Sequence, residues 1–551
     1  MRETASVATR PMEADVLVVG GGLAGCAAAI KARERGASVI LAEKGHVGKS
    51  GQTPFAGSYC VFNSEWGDDL GAWMDQISTY GDHLNNRTWT ELCFKESYSR
   101  YQELSSWGIE FERDEAGELR RGGMPLGPCR AGFMGVRKPS MILRRKVLES
   151  GATIADRVMV AGLLMDDGAV VGAIGIPMDT DELVVFSAKA VVLAAGTGGF
   201  RPTNWPINNL TSDADCMAYR VGAEITGKEF VDPHVGFGDR AGHMGFGRYG
   251  RDPEGGKPRR GRVVDAEGTQ IKPAGTLFLD LDFEAHAGRA PFYMEFEDGE
   301  RHPVVGGAAS GMSTHKAEGI WPADTDCSTR VPGLFAAGDC LGTMQSGATY
   351  AAIGQSLLGC SVTGARAGAG ATTYASGRER HGSGEGEIER LAEELLEPLR
   401  RKGGFSPRWV AQMLQNTMIP YYVMYVKHGD RLRAALTNVE FFRDHLAPML
   451  YAGDQHELRL AHETKNMILN AEMRLRASLF RAESRGCHYR EDYPRRDDPD
   501  WLAWVIVKKG GAGGMELFKR PLPEEWWPDL SRAYEERYPM KMPVTGWQHD
   551  H

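Results

Sequence analysis

No two cysteines in this sequence are close enough to form a C-x-x-C pair. The nine (Cys26, Cys60, Cys93, Cys129, Cys216, Cys327, Cys340, Cys360 and Cys487) are scattered over 551 residues. A zinc site or an iron–sulfur cluster built within the chain is therefore not expected, and no metal is assigned. An odd, dispersed set in a large chain suits reduced thiols and a cytoplasmic setting. No run reaches about 18 apolar residues, so no membrane-spanning helix is expected. The opening MRETASVATRPMEA lacks the apolar centre of a signal peptide. Basic residues are not in excess: 64 Lys and Arg stand against 73 Asp and Glu, a formal charge of -9. Such a chain is a poor nonspecific nucleic-acid binder. Gly-X-Y periodicity is also missing, which excludes collagen.

What the chain does have is glycine, 69 of 551 residues. That is well above the usual ~7%. Glycine in such excess serves either many loops or close backbone approach to a large ligand. Hydrophobic residues are 42% and charged residues 25%, a globular balance. The length suggests three or four units at roughly 150 residues each.

Residues 15–45 read DVLVVGGGLAGCAAAIKARERGASVILAEKG. A short apolar run (Val16 to Val19) predicts a buried parallel strand. Gly20, Gly22 and Gly25 then form G-x-G-x-x-G, a small-residue helix follows, and a second strand ends at Glu43. The first glycine suits a tight turn, the second a close approach of backbone to pyrophosphate, and the third helix–strand packing. The helix N-terminus holds the anion, and Glu43 is placed to accept from a ribose diol. Together these predict dinucleotide binding.

The next stretch, KGHVGKSGQTPFAGS from Lys44 to Ser58, is a polar glycine-rich loop. A simple NAD unit would continue with another helix and strand, whereas a long loop can wrap a flavin. Two later segments agree. AKAVVLAAGTGG at 188–199 and VPGLFAAGDC at 331–340 both predict strands ending in small-residue turns, the second at Asp339. Gly354-Gln355-Ser356-Leu357-Leu358 opens a Gly/Ala-rich helix, whose N-terminus can meet the anionic edge of a reduced flavin. The nucleotide domain is thus expected to be discontinuous.

The pieces VVGGGLAG, KSGQ–AGS, VVLAAGTGG, TSDADCMAYRVGAE, PGLFAAGDC, GQSLLGCSVTGARAG and ESRGCHYREDYPRRDDPDWL span nearly the whole chain in order. In them the sequence resembles the flavoprotein subunits of fumarate reductase and succinate dehydrogenase, a family that includes L-aspartate oxidase and the adenylylsulfate reductase α subunit. The resemblance implies an α/β fold: a discontinuous Rossmann-like FAD domain, an inserted α+β cap and a C-terminal helical domain. The implied units are 1–227 and 301–375 for FAD, 228–300 for the cap, 376–485 for the helices and 486–551 for a tail. It implies FAD held by Gly20, Gly22, Gly25, Glu43, Lys44, Ser50, Gly51, Gln52, Gly57, Val158, Ala195, Asp213, Asp339, Ser356 and Leu357. The respiratory dicarboxylate enzymes read S-H-T where this chain reads Ser50-Gly51-Gln52, and their histidine bonds covalently to FAD. Glycine at that place implies noncovalent FAD.

The substrate side departs further. His302 keeps the family's histidine-to-glycine spacing in HPVVGG and is a candidate carboxylate ligand or proton donor. The competing reading is an ordinary structural histidine before a turn; its place between cap and nucleotide domain favours the functional one. The family's arginine before the Ser-Leu helix is replaced by Ala351, next to Tyr350, a substrate-side candidate. A second family arginine, the proton donor, is replaced within Lys272-Pro273-Ala274-Gly275. Arginine is the natural clamp for carboxylates, so losing both argues against fumarate or succinate. Arg289, Arg248 and Arg251 of the cap are substitutes that nothing in the spacing proves. The cap's aromatics are as readily its own core as a lid over the flavin.

After a polar linker at 376–390, helical periodicity runs through EIERLAEELLEPLRR, WVAQMLQNTMIPYYVMYVKHGDRLRAAL and HETKNMILNAEMRLRASLFRAES. Met467, Met473 and Leu475 read as core, and Glu483, Arg485 and His488 as structural. The Trp- and Pro-rich end suits a partner or the chain's own body equally.

The resulting expectation is an FAD-dependent oxidoreductase. Hydride would pass between flavin N5 and a small, anionic organic substrate. Electrons would exchange with a separate iron–sulfur or ferredoxin-like subunit. The alternatives are an oxidase delivering electrons to O2 and a catalytically degenerate flavin-binding subunit.

Overall fold

The structure is a computed structural model that describes residues 8–123, 127–135, 139–201, 209–231, 236–237, 261–271, 280–305, 317–511, 513–540 and 542. Arg248, Arg251 and the Lys272–Gly275 segment lie outside the described residues.

The apolar run after Asp15 forms the strand Thr9–Val19, fully buried at its C-terminal end. It pairs in parallel with Val39–Glu43 on one side and Leu183–Leu193 on the other. Seven strands complete this sheet. Thr153–Asp156 joins in parallel beyond Val39–Glu43. Leu183–Leu193 continues into an antiparallel meander with Ala169–Pro177 and Val158–Asp166. Leu334–Ala336 returns from more than 100 residues downstream to pair in parallel with Val191–Leu193. The nucleotide unit is therefore discontinuous, as its three strand-ending glycine turns imply.

Helix Leu23–Glu34 packs against helix Gln355–Ala375 over the sheet. Small residues make the approach possible: a Cβ on Gly364 would stand 2.4 Å from the Ala24 carbonyl oxygen. At the entry to the first helix, a Cβ on Gly25 would stand 1.8 Å from the Gly20 oxygen. Gly25 thus serves helix–strand packing.

The cap is an antiparallel sheet, ordered Gly236–Phe237, Arg301–Val305, Phe292–Phe296, Gly261–Val264. Register pairing of Met294 with His302 extends the cap through Val305, past the boundary at 300. His302 therefore belongs to the cap sheet. Leu281, Phe292, Phe296 and Val304 form a small core of its own, so several of the cap's aromatics serve packing.

Three helices carry the predicted C-terminal pattern, Glu385–Arg400, Pro407–Met418 and Gln455–Phe480. The second ends earlier than its periodicity suggests. Pro420 cannot continue a helix; a single turn follows at Tyr421–Met424, and the next long helix is Gly429–Phe441. Met467, Met473 and Leu475 are buried. The tail is not loose: Ala503–Lys509 pairs with Met515–Pro521 and with Ile225–Thr226. Trp501, Leu502, Trp504 and Ile506 are buried, so this end folds on its own body.

Among the described residues, no helix is long and apolar enough to cross a membrane. All nine cysteines are buried, and none forms a disulfide among the described residues.

A flavin cleft at the strand ends

A cleft enclosing about 780 Å³, partly open to solvent, lies where the parallel strands end. This is the usual place for a ligand in an open α/β sheet. Eleven of the fifteen expected cofactor residues line it: Gly20, Gly22, Glu43, Lys44, Ser50, Gly51, Gln52, Val158, Ala195, Asp213 and Asp339.

Each has a local reason for its position. Gly22 begins the first helix without a side-chain cap, and Thr53 Oγ1 accepts from Leu23 N at 3.0 Å. Glu43 ends its strand with Oε2 2.6 Å from Gly21 N and Oε1 2.8 Å from Gly45 N. The carboxylate is thereby fixed against the glycine turn. Lys44 Nζ donates to Asp213 Oδ2 at 2.8 Å and pairs with Glu463 Oε1 at 2.8 Å. Burial works against charge on both Lys44 and Asp213. Their mutual attraction wins, holding the ammonium above and the carboxyl below its ordinary range.

The remaining four residues stand apart from the cleft's wall. Gly25 packs helix on strand. Gly57 accepts from Met134 N at 2.9 Å. Ser356 acts through Asp339, its hydroxyl 3.1 and 3.3 Å from the two carboxylate oxygens. Leu357 is buried in the core. Ser356 and Leu357 lie in the first turn of helix Gln355–Ala375, whose cap Gly354 offers no side chain.

On the substrate side, His302 is buried and its Nε2 lies 2.8 Å from Glu300 Oε1, with the Phe296 ring beside it. Arg289 is exposed and bonds Glu284. Tyr350 is half-buried. None of these three lines the flavin cleft. Ala351 is fully buried, and its carbonyl oxygen accepts from Gln76 Nε2 at 2.9 Å.

Sequence reasoning missed a buried ionic cluster behind the cleft wall. Lys228 Nζ is 2.6 Å from Asp215 Oδ2 and 3.2 Å from Glu318 Oε2, and Arg474 also pairs with Glu318 at 2.9 Å. Glu318 Oε1 accepts from Thr197 Oγ1 and Gly198 N, fixing the turn whose Gly196 lines the cleft. Burial pushes the Asp215 carboxyl up to about 6 despite Lys228. Burial depresses Lys228, yet Asp215 and Glu318 keep it above its ordinary value. The only signal in the sequence was charge inside apolar stretches, since Thr197 and Glu318 are 121 residues apart.

The donor set fits FAD. The side-chain-free start of the first helix would receive a pyrophosphate, an acid ends the second strand, and the wall runs from Glu43 to Asp339. The chain matches a family model described as FAD binding domain over residues 15–271. A second model, fumarate reductase flavoprotein C-term, matches residues 411–534. Through these two matches the chain is similar to the fumarate reductase/succinate dehydrogenase flavoproteins. This flavoprotein is an FAD-dependent oxidoreductase. It is 28% identical to a fumarate reductase (CoM/CoB) subunit of Methanothermobacter marburgensis, covering 90% of this chain and 97% of the relative. It is 26% identical to L-aspartate oxidase of Streptomyces coelicolor, covering 93% and 94%. In fold the flavoprotein matches the Mycobacterium smegmatis Sdh1 complex with UQ1, at 24% identity and TM-score 0.82, over 96% and 98% of the two chains.

Proposed function

We propose that the flavoprotein oxidises or reduces a small organic anion held between the cap sheet and the flavin cleft, and exchanges electrons with a separate iron–sulfur or ferredoxin-like protein. The observation that carries this reading is the cleft itself, complete from Glu43 to Asp339, in a chain related end to end to a fumarate reductase flavoprotein. FAD, when bound, supplies hydride exchange at its ring nitrogen N5. The chain's residues do the rest. The glycine turn and Glu43 position the dinucleotide. The uncapped start of helix Gln355–Ala375 brings positive potential to the far end of the cleft, where Ser356 steadies Asp339.

The relatives are named for fumarate and L-aspartate, both small carboxylates. Ala351, buried where the respiratory enzymes place an arginine, argues for a substrate other than fumarate or succinate. His302 is the substrate-side residue we retain, with Tyr350 as a second contact. Arg289 is held by Glu284 at the outer face. The external electron partner follows from the dispersed cysteines, which offer no cluster motif.

The L-aspartate oxidase relative supports a second reading, direct transfer to O2. One experiment separates them. The FAD-loaded protein is photoreduced anaerobically, then mixed with a panel of unsaturated carboxylates, with oxidised ferredoxin, or with aerated buffer. Reoxidation by a carboxylate and by ferredoxin is expected. Peroxide as the main product would favour the oxidase, and reoxidation by dyes alone would sink both readings.

A further inference from the structure

A second cleft, separate from the flavin cleft, opens where strand Val158–Asp166 meets helices Asp213–Arg220, Glu385–Arg400 and Gln455–Phe480. It encloses about 1520 Å³, part of it open solvent. Leu163, Met217 and Leu391 give it an apolar wall.

Its charges are uneven. The two acids, Glu387 and Glu394, are both engaged by Arg390, at 2.8 and 3.3 Å. With Arg220, Lys465 and Lys509 the lining carries four basic groups against these two acids, a surplus of two positive charges. Arg220 donates to Asn466 Oδ1 at 2.7 Å, and Lys509 donates to the Arg220 carbonyl oxygen at 3.1 Å. The Lys465 ammonium makes no hydrogen bond and no ion pair within 4 Å among the described residues. It is half-buried, and burial holds it below its ordinary lysine value, with Glu397 and Glu394 opposing. A partly desolvated ammonium with no direct partner is favoured by an added anion. His462, buried here, is spent on the Leu395 carbonyl oxygen at 2.8 Å and stays neutral.

We propose that this cleft is a second binding site, for a small organic anion that carries a phosphate or carboxylate group on an apolar body. Lys465 supplies the half-buried charge, Arg220 and Lys509 the exposed rim, and the Leu163 side the apolar contact. The site reaches the cofactor through a short chain of bonds. Arg220 holds Asn466, whose Nδ2 donates to Asp213 Oδ1 at 2.9 Å, and Asp213 lines the flavin cleft.

The test is calorimetry on the FAD-saturated protein at low salt, with ADP as the phosphate probe and octanoate as the carboxylate probe. Flavin absorbance is followed to confirm that FAD stays bound. Saturable binding of either probe is expected, and which one binds identifies the head group. Lys465→Met should weaken it about tenfold or more, the loss of one hydrogen bond to a charged group. Lys465→Arg should retain it, and both variants should keep full FAD content. The proposal is overturned if neither probe binds, if binding is the same in Lys465→Met, or if a probe binds only by displacing FAD.

Discussion

Lys44 Nζ and Asp213 Oδ2 stand 2.8 Å apart, joining the end of the second strand to a helix start 169 residues later. The family resemblance implies a cofactor contact for each, and both line the cleft. They also form one ionic unit with Glu463, which Arg201 and Arg459 also pair. Removing the lysine would leave two carboxylates facing each other. Lys44→Met should therefore lower stability by about 3 kcal/mol, in the range for breaking a buried pair. FAD affinity should fall as well. Denaturant melts and flavin titration of the apoprotein measure the two effects, and unchanged values in both would refute the coupling.

Gly51 carries no side chain where the respiratory enzymes carry the FAD-bonding histidine. A Cβ there would meet nothing within 4 Å, and the backbone φ is +73°. Acid precipitation should leave all yellow flavin in the supernatant. Flavin fluorescence in the washed pellet would contradict noncovalent binding.

Much of the cleft was legible because its chemistry is local. A turn of glycines, a helix start and Glu43 all fall within 24 residues, so spacing alone places them. Asp339 was legible for the same reason, as a strand end, whereas the helix start at Gly354–Leu357 was legible as an element but stands apart from the cleft's wall. The ionic cluster was not. Lys228, Asp215, Glu318 and Arg474 come from four distant segments, and only the folded chain brings opposite charges together. The cap boundary was missed because His302 sits in a two-sided antiparallel ladder, where register rather than composition fixes which residues belong. Pro420 was in plain view, yet the periodicity on both sides masked the break it imposes.

Lys427 offers a pH test of the buried interior. Burial lowers its ammonium to about 7, with Arg474 and Arg490 adding to that effect and Glu229 opposing it. Its Nζ lies 3.0 Å from His488 Nδ1 and donates to the Glu229 carbonyl oxygen at 2.6 Å. The unfolded chain holds this proton up to an ordinary lysine pKa near ~10.4. Between about 7 and that value the unfolded state binds more protons, so this group makes stability rise with pH. Below the folded value both states are charged and the slope vanishes. Wild type should therefore gain on Lys427→Met as pH rises through this window. Paired guanidinium melts across it measure the difference, and a flat difference would show that Lys427 is not depressed.

His302 decides whether the cap takes part in chemistry. It is buried with Nε2 2.8 Å from Glu300, an arrangement that fits either a proton donor or a structural tether in the strand Arg301–Val305. If it donates a proton to substrate, His302→Asn should slow reoxidation of the reduced enzyme by a carboxylate about 10²-fold, the usual share of a general acid. FAD content should not change, because the residue lies outside the flavin cleft. Reoxidation by ferredoxin should also be preserved, since that route needs no proton from the cap. Rapid-mixing kinetics of the two reoxidations, run side by side, give the answer. Equal loss in both would mark a structural residue, and no loss in either would remove His302 from the substrate site.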